Sequence, residues 1–176
     1  MYLGIDHGTN AMRFAALDKH GKSFYFEVPR SDMKEMEGSE ILKLIQEQFN
    51  TNIKQIEMIA LTYSMGDGIV NIMDIQDVQN RGVRSIEGVG KKTGAGTLVF
   101  DTIKKAQIPA VVIPGIHSQS HTDPRMNVFS HSTSPEKLGI AYDALSRGIN
   151  NFIVSDISSN TVTLAVANGA VVGALD

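Results

Sequence analysis

The sequence predicts an α/β fold in which a mixed sheet opens on an antiparallel meander, is flanked by helices, and is followed by the start of a second, similar unit. Three observations predict it. Short runs rich in β-branched and aromatic residues alternate with stretches of helical period. Hairpin signals stand near both ends of the chain. The two ends also share one order of parts: strand, aspartate, small-polar loop, strand, glycine turn, strand. Asp6 matches Asp156 and Asn10 matches Asn160 at a constant offset of 150.

Taken in order, Tyr2–Ile5 is a buried strand that ends at Asp6, and His7-Gly8-Thr9-Asn10 is a tight polar loop. Met12–Asp18 and Ser23–Val28 are strands joined by the turn Lys19-His20-Gly21-Lys22, and Pro29 closes the meander. Ser39 is the expected N-cap of a helix whose Ile41, Leu44, Ile45 and Phe49 share one face. Met58–Tyr63 is a buried strand running into Ser64-Met65-Gly66-Asp67-Gly68, and Ile69–Ile75 is a further apolar stretch. Val83–Gly96 reads as a glycine-rich loop, Thr97–Gln107 as a helix, and Ala110–Ile113 as a strand stopped by Pro114.

His117–Ser134 lacks periodicity and reads as a loop. Ser134-Pro135-Glu136 is a strong helix start, with Leu138, Ala141, Tyr142 and Leu145 as the buried face and Gly148 as the stop. Phe152–Ser155 is a strand ending at Asp156. Thr161–Ala167 and Ala170–Ala174 form a hairpin about Asn168-Gly169. The expected division is a first domain over 1–123 and the beginning of a second over 124–176.

Composition narrows the chemistry. The 176 residues are 42% hydrophobic and 20% charged, with a formal net charge of −3, which gives no basis for bulk nucleic-acid or membrane-surface binding. Without cysteine there is no disulfide framework, thiolate metal site or cysteine nucleophile. No apolar run is long enough to span a bilayer, and MYLGIDHG reads at once as a strand, so the cytosol is the default location.

The two aspartate-led loops suit phosphate. A tight turn between antiparallel strands can present several backbone N–H groups to an anion. Gly8 would let the backbone approach phosphate without a Cβ, while Thr9 and Asn10 offer short hydrogen-bonding side chains. Asp6 is placed to serve a Mg²⁺ ion, which is held through few protein groups. Asp156 with Ser158, Ser159, Asn160 and Thr161 repeats the set. The competing reading is that both aspartates merely terminate strands and that any two hairpins look alike.

These residues carry a resemblance. Asp6-x-Gly8-Thr9 with Arg13 downstream resembles the first phosphate loop of the actin, sugar-kinase and heat-shock-ATPase superfamily. Asp156-x-Ser158-Ser159-x-Thr161 resembles its second, closest to the acetate and butyrate kinase branch, although many members have Gly where this chain has Ser158. GIDHGTNAMRF, PGIHSQSHTDPRMNVFSHSTSPEK and SDISSNTVTLAVANGAVVGALD together look like methanogenesis marker protein 12, an archaeal family related to those kinases. The resemblance implies a ribonuclease-H-like (actin-like ATPase) fold, ATP or ADP with Mg²⁺ as ligands, and Arg13 as a phosphate contact. It also implies that the second domain continues beyond Asp176 into a Gly-rich adenosine motif that has no counterpart here. Since acetate-kinase-like enzymes use His, Asp and Arg near the transferred phosphoryl group, His121, Asp123 and Arg125 are candidate catalytic residues beside Asp6 and Asp156, with His131 in the same cluster.

Weaker candidates remain open. The spacing of His117, His121 and Asp123 could hold a metal, but the stretch lies between Pro114 and Pro124 and lacks the helix that i, i+4 ligation needs. Glu87–Gly96 fails the P-loop pattern, leaving Lys91 and Lys92 on a mobile cleft loop or a solvated one. Asp67 is a candidate base or a plain turn residue. The terminal strands, with Val162, Leu164 and Val166 alternating, are expected either to pair with the first domain or to self-associate, since an open edge is sticky.

Overall fold

The computed structural model describes residues 1–63, 68–82, 94–125, 133–158 and 161–175. Strands β1 (Tyr2–His7), β2 (Ala11–Leu17) and β3 (Ser23–Pro29) form the expected meander. Its first turn is short and polar. Its second is fixed by the Asp18 carboxylate, which accepts the His20 and Lys22 amides, and by Gly21 at φ 79°. A single turn α1 (Arg30–Met33) leads to helix α2 (Gly38–Phe49). Helix α2 begins two residues earlier than an N-cap at Ser39 would place it, because Glu37 takes the cap position and the Glu40 carboxylate accepts the Glu37 amide at 2.7 Å.

Strand β4 (Met58–Leu61) runs parallel to β1. After β5 (Met73–Asp74) and helix α3 (Ala95–Lys105), strand β6 (Ala110–Val112) runs parallel to β4. The strand order is β3-β2-β1-β4-β6-β5, with β5 antiparallel at the edge. Only Met73 and Asp74 of the apolar stretch Ile69–Ile75 are strand. Ile69 and Ile75 instead bury their side chains in the core.

One face of this sheet carries the core. Leu3, Ile5, Met12, Phe14, Ile59, Leu61 and Val112 meet Ile41, Ile45 and Phe49 of α2 and Val99, Phe100 and Ile103 of α3. Phe14 is fully buried and stacks on Phe26 with ring centres 4.6 Å apart. The opposite face presents Tyr2, Leu17, Tyr25 and Met58 to solvent.

Helix α4 (Pro135–Ser146) starts as expected at Ser134-Pro135, though the Ser134 hydroxyl donates to the Glu136 carboxylate rather than accepting a helix amide. A second, three-stranded antiparallel sheet follows: β7 (Phe152–Ile157), β8 (Thr161–Ala167) and β9 (Ala170–Leu175). Asp156 therefore lies within β7 and does not follow it. Asn168 (φ 51°) and Gly169 (φ 76°) make the predicted tight hairpin. Ala141 of α4 packs with Val162, Leu164, Val166 and Ala174 in a separate core. Among the described residues, this sheet is not continuous with the first one.

The burial of α4 departs from expectation. Leu138 and Leu145 are only partly buried and Tyr142 is 70% exposed, whereas Lys137 is buried. The reason is that α4 lies along β7 and β8 through Ala141 and Leu138, which turns Tyr142 to the rim of an apolar hollow. Replacing Phe14 by Ala is predicted to destabilise the chain by about 3–5 kcal/mol. The measurement is a lower urea midpoint at an unchanged slope.

Candidate phosphate cleft

Asp6 lies at the C-terminal end of β1, the side of parallel strands where α/β sheets place ligands. Register puts Arg13 of β2 directly opposite Asp6, and Glu27 of β3 directly opposite Arg13. Opposite charges so placed attract across the strands. Arg13 Nη1 donates to Asp6 Oδ2 at 3.0 Å, and its Nε lies 3.5 Å from Glu27. The other Asp6 oxygen accepts the Thr62 hydroxyl at 3.0 Å, just beyond the end of β4. Thr62 also accepts the His7 amide at 3.3 Å, so one side chain fixes two consecutive residues of loop one.

The role expected for Gly8 changes. A Cβ there would stand 2.3 Å from Arg13 Nη1 and 2.7 Å from the Ala11 carbonyl. Glycine is required because the Ala11 carbonyl stands where a Cβ would go, with the Arg13 guanidinium packed over the same spot. Arg30 holds the same loop from α1: its Nη1 donates to the Gly8 carbonyl at 3.2 Å and its amide to Asn10 at 2.9 Å. The loop is thus braced by two arginines, while Thr9 and Asn10 remain exposed.

Asp156 occupies the facing wall. Lys137 Nζ donates to its Oδ2 at close range and to Ser158 Oγ at 3.2 Å, and the Ser158 hydroxyl donates to the same Oδ2 at 3.1 Å. The Lys137 ammonium holds the Asp156 carboxyl below the usual carboxylate range; burial opposes this, while Ser158 and the charge of Arg13 add to it. Arg13, on β2, and Asp156, on β7, belong to the two walls of one cleft. Between them lies a cleft of about 610 Å³ lined by Asp6, Gly8, Thr9, Asn10, Arg13, Glu136, Lys137, Ile140, Asp156 and Ser158.

The other candidates are placed elsewhere or lie outside the described residues. His121, Asp123 and Arg125 do not line the cleft. The Asp123 amide donates to Val172 of β9 at 2.7 Å, and its carboxylate grips Arg125, which holds its pKa down to about 2. His117 Nδ1 accepts the Gln119 amide, an ordinary turn contact. Thr161 opens β8 opposite Ile157 and is likewise not a lining residue. Ser159, Asn160, Asp67, Lys91, Lys92 and His131 lie outside the described residues.

Among the described residues no three His, Asp or Glu side chains gather as a metal site. Apart from the cations Arg13 and Lys137, the polar side chains that line the cleft offer oxygens, from Asp6, Glu136, Asp156, Thr9, Asn10 and Ser158. Mg²⁺ takes such donors sparingly and completes its shell with waters and phosphate, so the set fits that ion in kind. A second hollow of about 570 Å³ borders the other side of α4, among Ile72, Ile113, Leu138, Tyr142 and Val171. Its walls are apolar and do not suit phosphate.

Sequence reasoning missed Lys137, Thr62 and Arg30. Lys137 did leave a signal, since a lysine in a first helical turn opposes the helix dipole. Thr62 and Arg30 left none, because only strand order brings them to loop one.

No protein-family model matches the sequence. The chain is similar to the UPF0285 protein of Methanosarcina mazei, 56% identical over 175 residues, covering 99% of this chain and 54% of that protein. It is also similar to the UPF0285 protein of Methanococcus maripaludis strain C5, 46% identical over 177 residues, 99% and 53% covered. The chain spans about half the length of the curated relatives it matches. Among solved structures it resembles acetate kinase of Porphyromonas gingivalis (TM-score 0.58, 10% identity, 98% of this chain and 56% of that one). A putative 2-dehydro-3-deoxygalactonokinase of Sinorhizobium meliloti gives a TM-score of 0.58 at 12% identity, covering 99% and 53%. The fold is therefore the ribonuclease-H-like, actin-like ATPase fold of acetate and sugar kinases, as the loops suggested. Among the described residues no helix is long and apolar enough to cross a membrane.

His7, next to the cleft, gives a pH test. Its Nδ1 is shut from solvent with no hydrogen-bond partner among the described residues, and its ring lies against Gly96 and Tyr63. Burial pushes the imidazole down to about 4. The unfolded chain then binds a proton that the folded chain refuses. Stability is full above about 6.5 and falls as pH drops toward 4. The wild type should lose on the order of 2–3 kcal/mol over that window relative to His7→Gln, read by urea unfolding at a series of pH values.

Proposed function

We propose that the cleft between loop one and loop two binds the phosphate chain of a Mg-nucleotide. The observation that carries this reading is the meeting, across about 610 Å³, of two aspartate-led loops each accompanied by a cation. Thr9, Asn10 and Ser158 would hydrogen-bond phosphate oxygens, together with Ser159 and Asn160 of the second loop, and Thr161 would join them only through a movement toward the cleft. Asp6 and Asp156 would hold Mg²⁺, which when bound neutralises charge on phosphoryl oxygens. The division at 123/124 would make these loops the inner edges of two domains.

The kinase fold supports a phosphotransferase or ATPase of the acetate- and sugar-kinase superfamily, with ATP or ADP as the nucleotide. His121, Asp123 and Arg125 would join the site only through a movement toward the cleft. The resemblance to methanogenesis marker protein 12, and the methanogen sources of the relatives, favour a cytosolic role linked to methanogenesis.

A second reading, a regulatory or structural protein that keeps the fold without turnover, is favoured by one observation. Both aspartates of the cleft are engaged in ion pairs. Self-association through β7–β9 belongs to that reading. Phosphotransfer to short carboxylic acids separates the two, since only the first predicts product.

Titration calorimetry with Mg-ADP tests the cleft itself. Heat of binding is expected for the wild type. Asp6→Ala should weaken binding about tenfold or more, the loss of a charge-assisted contact of about 1.5–3 kcal/mol. No heat from the wild type, or equal heat from Asp6→Ala, would contradict the assignment.

A further inference from the structure

Lys137 is expensive where it stands. It is only 9% exposed, although an ammonium is strongly hydrated and costly to bury unless paired. It also lies in the first turn of α4, where free backbone N–H groups favour anions. A brace between α4 and β7 could be made of apolar groups without either cost. Among the described residues the ammonium donates to Asp156 and Ser158, two acceptors for a group with three N–H donors. It faces the same cleft as Arg13, Thr9 and Asn10.

We infer that Lys137 is a phosphate-binding residue of the cleft, and that its pairing with Asp156 keeps free divalent cations off that carboxylate until an anion arrives. The inference rests on the phosphate reading of the cleft and deepens it. The two cations of the cleft are not equivalent. Arg13 is clamped between Asp6 and Glu27 by strand register, so its charge is fixed. Lys137 is a point charge on a flexible stem that can swing from a carboxylate to a phosphate oxygen without repacking β2. When it does so, Asp156 loses its internal cation and turns into a ligand for metal. The cleft thus takes anion and metal together more readily than metal alone.

The consequence is a pair of effects of opposite sign. On the 176-residue chain, inorganic triphosphate without metal is titrated by calorimetry, and Mn²⁺ alone is followed by electron paramagnetic resonance. Lys137→Met should bind triphosphate about tenfold or more weakly, since a charge-assisted contact is lost, and should bind Mn²⁺ several-fold more tightly, since Asp156 is released. Lys137→Arg should keep most triphosphate affinity and the weak Mn²⁺ binding of the wild type. Lys137→Gln, which can still hydrogen-bond Asp156, covers the case in which Lys137→Met does not fold, and should show the same two shifts. Unchanged triphosphate binding in the Met and Gln variants, or parallel loss of both ligands with a lowered melting temperature, overturns the inference and leaves a brace. Failure of the wild type to bind triphosphate would overturn the cleft reading and this inference with it. Intact wild-type binding with unaltered variants overturns the inference alone.

Discussion

Two aspartates line the cleft, and each is held by a cation from a neighbouring element: Asp6 by Arg13 of β2, Asp156 by Lys137 of α4. The rest of the architecture follows from satisfying these pairs. Asp6 can meet Arg13 because β1 and β2 share a fixed antiparallel register, and it can meet Thr62 because β4 lies parallel on the other side of β1. A one-residue slip of β2 would send Arg13 to the core face and Phe14 or Met12 to solvent. The buried row Leu3, Ile5, Met12 and Phe14 therefore sets the geometry of the charged row beside it. Packing energetics decide the register, and the register decides the site.

Loop two obeys a different rule. Strand β7 contributes Asp156, but the partner comes from α4 rather than from an adjacent strand. Helix α4 is held on the second sheet by Ala141 and its contacts with Val162, Leu164 and Val166. The second wall thus depends on helix-to-sheet packing, and the first on strand pairing.

Much of this was legible in the sequence. Alternating apolar residues gave the meander, and Asn168-Gly169 gave the final turn, because both depend on local chemistry. The correspondence of Asp6 with Asp156 located both walls. Helix starts were legible where proline marks the first turn, as at Ser134-Pro135, and misplaced where an acid takes the cap position, as at Glu37 rather than Ser39. The partners of the aspartates were not legible. Lys137 is 19 residues from Asp156, and Thr62 is 56 from Asp6, so only the tertiary fold joins them. The sequence points to Gly8 as room for phosphate, and only the fold adds that the Ala11 carbonyl and the Arg13 guanidinium already crowd its Cβ position. His121, Asp123 and Arg125 were grouped with the site by resemblance, yet Asp123 is tied to β9 and outside the cleft lining.

The central claim is that the two loops act as one phosphate site. Its most direct measurement is an amide nuclear magnetic resonance titration with Mg-pyrophosphate. The account predicts that the amides of Gly8, Thr9 and Asn10 shift together with those of Asp156 and Ser158, along one binding curve. Shifts confined to one loop, or two curves of different midpoint, would contradict it.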